Sequence, residues 1–93
     1  MKKMWKKIER MIATGAVHRD GFKLDEVKLP FILEQARKEL DELIKSPDDH
    51  IEMADLLAIL IHYCIKQGWT MEVMESYMNE KLNVRFKIPK AKT

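Results

Sequence analysis

A chain of 93 residues with 46% hydrophobic and 34% charged side chains makes a single domain over residues 1–93, with only a modest core for a lone subunit; that hydrophobic share excludes a disordered chain. Three glycines and three prolines are too few for an all-β plan full of tight turns, and the single cysteine, Cys64, excludes an internal disulfide or a cysteine-based zinc cluster. The formal charge of +2 hides a basic start (Lys2, Lys3, Lys6, Lys7, Arg10), a basic end (Lys81, Arg85, Lys87, Lys90, Lys92) and an acidic stretch from Glu34 to Asp55, a distribution that steers anions inward or touches nucleic acid.

Met4, Trp5, Ile8, Met11 and Ile12 recur at helical spacing opposite lysines, which predicts an amphipathic helix over residues 1–14 closed near Gly15. Residues 16–29 have no period and contain Gly21, so they are expected to form a loop with at most one short turn. Pro30 suits a first helical turn. Phe31, Ile32, Leu33, Ala36, Leu40, Leu43 and Ile44 then carry an apolar stripe to about Lys45, where Ser46-Pro47 stops the helix. Asp48 or Asp49 is placed to cap a third helix running to about Gln67. Its apolar residues, from Met53 through Ile65, cover nearly the whole circumference, which in so short a chain implies burial against a second subunit. Gly68 fits a left-handed helix end and Thr70 a cap for a fourth helix to about Leu82. Residues 86–93 read as a loosely ordered basic tail. The longest uncharged run, Leu56 to Ile65, is far short of a membrane span, and no signal peptide is read at the start; the expected setting is cytoplasmic. The expected fold is all-α: about four helices, the central two an antiparallel pair, in a bundle completed by oligomerisation.

Glu39 and Glu42 lie three apart on the second helix; Glu52 and Asp55 lie three apart on the third. Residues at that spacing share a helix face, with Cβ atoms about 5–6 Å apart. If the turn at residues 46–49 folds one helix back on the other, both pairs converge, and four carboxylates together call for a hard cation. Magnesium, or manganese, is the natural occupant because both prefer oxygen ligands. The bland alternative is a solvated face with Lys38–Asp41 and Lys38–Glu42 pairs. Glu52 and Asp55 fit it poorly, because they enter an otherwise apolar helix. His62 follows Asp55 by seven residues and shares its face, either as a contact to a bound base or sugar or as a hydrogen-bonded interface histidine. Trp5, Phe22, Phe31 and Trp69 offer stacking surface, or simply core. His18 and His50 support no inference.

The run Lys38-Glu39-Leu40-Asp41-Glu42-Leu43, followed by Pro47-Asp48-Asp49 and Glu52-Met53-Ala54-Asp55, resembles the MazG-like all-α nucleoside triphosphate pyrophosphohydrolases, and within them the phage-type dATP/dGTP pyrophosphohydrolase branch. The resemblance spans residues 29–85 and is specific over 38–55. It implies a homodimer or homotetramer that splits a purine deoxynucleoside triphosphate into monophosphate and pyrophosphate. Glu39, Glu42, Glu52 and Asp55 would hold magnesium and carry the catalysis. Lys38 stands where the commoner form of the superfamily begins with a glutamate. Lys81, Asn83 and Arg85 match, at tighter spacing, a Lys–Asn–Arg series near the phosphates; with Lys38 and His62 they complete the implied substrate contacts. The competing expectations are a non-catalytic helical dimer that binds nucleic acid through its basic termini, and a nucleotide-binding sensor without turnover. The acidic centre argues against a broad nucleic-acid footprint.

Overall fold

The computed structural model describes residues 1–87 and Pro89, and among these it is all-helical. Four helices follow in order: α1 (Lys2–Ala13), α2 (Leu29–Lys45), α3 (His50–Lys66) and α4 (Met71–Arg85). Their ends follow the local chemistry. Pro30 sits in the first turn of α2. Asp49 caps α3, its side chain accepting from the amides of Ile51 and Glu52, and Thr70 caps α4 through the amide of Val73. α3 closes in a Schellman arrangement: Gly68, at φ +82°, donates its amide to Ile65 O, and Trp69 donates to Cys64 O. Only glycine takes that backbone conformation without strain.

α2 and α3 form the closest helix pair, joined by the short turn at residues 46–49, and α1 packs on another side of α3. A small core results. Trp5 and Ile8 of α1 meet Ile61 of α3, with Ile12, Cys64, Ile65, Met71 and Met74 around them. Ile32 and Ala36 of α2 and, besides Ile61, Leu56 and His62 of α3 are also buried. Cys64 is half-buried there, and desolvation pushes its thiol pKa up, in keeping with a packing role.

α4 runs one turn beyond the expected end at Leu82, because nothing in Asn83-Val84-Arg85 breaks a helix. It touches the core only at its start, and every residue from Glu75 to Lys87 is exposed. The chain accordingly measures 57 × 31 × 22 Å, with a radius of gyration of 16.1 Å, against about 12 Å for a compact domain of this length. One copy therefore does not close a bundle. α3 shows the same incompleteness: Ile51, Met53 and Leu60 remain exposed. Of the expected loose tail, residue 88 and residues 90–93 lie outside the described residues; Phe86 is extended and exposed.

Residues 16–28 have more order than their lack of period predicts. Val17 and Lys23 form an antiparallel bridge, Leu24 N donates to Ala16 O, and His18 N donates to Phe22 O. Gly21, at φ +99°, turns the tip of this small hairpin. No described helix is long and apolar enough to cross a membrane.

Candidate functional site

The α2–α3 pair brings three carboxylates to one point. Glu39 comes from the middle of α2, while Glu52 and Asp55 come from the first turns of α3. Each offers an oxygen within 4.8 Å of the others. The Asp49 cap fixes this end of α3: its Oδ1 accepts from Ile51 N at 3.0 Å and from Glu52 N at 3.4 Å. Glu39 and Glu52 are half-buried; Asp55 is exposed.

Among the described residues, no ion pair involves Glu39, Glu52 or Asp55. The solvated-face arrangement does occur on α2, but through Arg37 in place of Lys38 and without the triad: Arg37 pairs with Glu34 and, at 2.9 Å, with Asp41. The Glu52 carboxyl is pushed up to about 7. A hydrogen bond with Glu39 that requires a shared proton is the main cause; partial desolvation and the charges of Glu39, Asp49 and Asp55 add to it. Such a cluster is chemically suited to a divalent cation, which would displace that proton.

The carboxylates open into a cavity of about 630 Å³, within the range of small-molecule sites. The hairpin loop supplies His18, Arg19, Phe22, Leu24 and Val27. α2 supplies Phe31, Ile32, Gln35 and Glu39; α3 supplies Ile51, Glu52, Asp55, Ala58, Ile59 and His62. An aromatic array forms the wall away from the acids. The His18 and Phe22 rings stack at 4.4 Å and 9°, and Phe22 meets Phe31 edge-on at 5.2 Å.

His62 is buried and fastens this wall. Its Nε2–H donates to the Leu24 carbonyl at 3.2 Å, and one turn on Lys66 Nζ donates to the Asp25 carbonyl at 2.8 Å. Burial holds the imidazole pKa below its usual value against the bond to Leu24, and the charge of Lys66 lowers it further. The hydrogen-bonded role expected for this histidine is thus present, with a loop of its own chain as partner. It also lines the cavity beside Ile59.

The other sequence-derived residues are not gathered here. Glu42 is exposed and outside the triad. Lys38 is exposed and does not line the cavity, and neither do Lys81, Asn83 and Arg85, all on the projecting part of α4. Of the four aromatics considered for stacking, Phe22 and Phe31 line the cavity; Trp5 is core, and Trp69 borders a separate cleft of about 220 Å³ beside α1. His18, Arg19 and Gln35 were pointed to by no periodicity or motif. The one available signal was indirect: an aromatic and a cation, Phe22 and Arg19, in a stretch with no core pattern. Comparison with protein families, curated proteins and solved structures finds no match to this chain.

Proposed function

We propose that the protein is a magnesium-dependent nucleoside triphosphate pyrophosphohydrolase that releases a monophosphate and pyrophosphate. The observation that carries this reading is the uncompensated Glu39–Glu52–Asp55 triad at the floor of a nucleotide-sized cavity. The motif resemblance across residues 38–55 supplies the reaction, and a purine deoxynucleotide as the substrate class. A divalent cation in the triad would polarise phosphate oxygens and orient a water for in-line attack at the α-phosphorus. Glu39, Glu52 and Asp55 would hold that charge in place, with the Glu52 carboxyl deprotonated to serve as a ligand. His62 and Lys66 keep the loop wall against α3. The aromatic array offers the base an apolar surface.

The exposed Tyr77, Met78 and Leu82 of α4, with Phe86 just beyond it, support self-association into a homodimer or larger homo-oligomer. Lys81, Asn83 and Arg85 do not line the cavity of their own chain, so a role at the phosphates would need them to come from another copy. The reading is tested by incubating the protein with magnesium and a panel of nucleoside triphosphates, then identifying products by phosphorus NMR. Equal amounts of monophosphate and pyrophosphate are expected. Diphosphate with orthophosphate, or no product from any member of the panel, rejects it.

A further inference from the structure

We propose that Arg19 is the phosphate-gripping residue of this cavity, holding the outer phosphates of a polyphosphate whose inner phosphate faces the carboxylates. The proposal rests on the pyrophosphohydrolase reading for its substrate and on the following geometry for its residue. Arg19 is the one lysine or arginine that lines the cavity among the described residues. No described hydrogen bond or ion pair from another residue engages its guanidinium.

Its position is held although its side chain is free. The hairpin that presents it is closed by the Val17–Lys23 bridge and by the bonds of His18 with Phe22 and of Gly21 with His18. The Asp20 amide donates to His18 Nδ1 at 3.0 Å, and the stacked His18 and Phe22 rings seat the hairpin on Phe31 of α2. From the other side, His62 and Lys66 of α3 hold the carbonyls of Leu24 and Asp25.

Charge balance within one chain favours such a residue. Three carboxylates around one divalent ion leave a net charge of about −1. A polyphosphate entering that field needs a further positive group at its far end, and within one chain the α4 cations do not line the cavity. A guanidinium suits the task, because its fork matches two phosphate oxygens at once.

Inorganic triphosphate is the probe, since it carries no base. Its binding is measured by calorimetry on wild type, Arg19→Ala and Arg19→Lys, with magnesium and with chelator, alongside nucleotide turnover and manganese affinity. Arg19→Ala should weaken triphosphate binding on the order of tenfold to a hundredfold, the range for a charged hydrogen bond. Lysine should restore part of it, manganese affinity should stay unchanged, and KM should rise with kcat little altered. Equal triphosphate affinity in Arg19→Ala and wild type overturns the proposal, as does wild type failing to bind triphosphate under either condition. Wild-type turnover with an indifferent Arg19→Ala removes Arg19 and leaves the pyrophosphohydrolase standing. Triphosphate binding that depends on Arg19, without turnover in any variant, keeps the grip and removes the reaction.

Discussion

Glu39 of α2 and Glu52 of α3 face each other across the helical hairpin with carboxyl oxygens within 4.8 Å, and hydrogen bonding to Glu39, desolvation and neighbouring negative charge push the Glu52 carboxyl up to about 7. Neither acid has a cationic partner among the described residues, and Asp55 adds a third carboxylate within 4.8 Å. An acidic triad of this kind offers oxygen donors to a divalent cation.

This relationship fixes a pH dependence. With its pKa raised in the folded state from the ordinary 4.5 to about 7, Glu52 binds more protons folded than unfolded between those values. Its contribution to stability is therefore full below about pH 4.5 and is lost as pH rises through about 7. His62, depressed by burial below 6.5, works oppositely: its contribution is present above about pH 6.5 and lost as pH falls through its folded pKa. Thermal melts of metal-free wild type and Glu52→Gln across pH 5 to 8 separate the two. The wild type should lose stability relative to Glu52→Gln as pH rises, and magnesium should bind more tightly at pH 8 than at pH 6. Parallel melting curves for the two proteins would contradict the shared proton.

The acids on α2 should separate in function. Glu39→Gln removes a member of the triad, whereas Glu42→Gln changes an exposed carboxylate outside it. Magnesium affinity should fall by at least tenfold in the first, the effect of losing a charged ligand, and by no more than a few-fold in the second. Equal losses would show that the four-carboxylate arrangement expected from spacing forms after all when the cation binds.

His62→Leu keeps much of the side-chain volume but removes the donor to the Leu24 carbonyl. The loop should loosen by about 1 kcal/mol, the net value of a typical hydrogen bond. The Leu24 amide, bonded to Ala16 O at 3.0 Å, reports this directly by exchanging roughly fivefold to tenfold faster with solvent. Wild-type exchange in the variant would mean that the aromatic array alone holds the hairpin.

The projecting half of α4 makes a prediction about assembly. Leu82 is 56% exposed and Met78 53%, on a helix that meets the rest of its chain only near Met71 and Met74. Sedimentation velocity should show wild type above monomer mass, and Leu82→Glu shifted toward monomer with helicity retained. A wild type that sediments as a monomer at every attainable concentration refutes self-association.

The helices were legible because their signals are local. Asp49 and Thr70 announce caps, Pro30 a first turn and Gly68 a helix end, and each performs that role. The meeting of Glu39 with Glu52 and Asp55 was likewise legible, since a short turn between two helices leaves little choice but antiparallel packing. Glu42 was not resolved by spacing alone. Three residues fall about 60° short of a full turn, so two acids at that interval need not aim at one point. The loop wall was the least legible part. His62 finds Leu24 across 38 positions and Lys66 finds Asp25 across 41, and no periodic pattern encodes contacts at such range. Arg19 and His18 therefore join the site only through these long-range contacts of the loop.

Manganese electron paramagnetic resonance tests the central claim most directly, because protein-bound Mn²⁺ loses the sharp spectrum of the free ion. Wild type at pH 8 should titrate that signal away. Glu39→Gln and Asp55→Asn, each with helical circular dichroism intact, should leave most of it in solution. Undiminished free-ion signal over the wild type, or equal uptake by both variants, would contradict a cation held between α2 and α3.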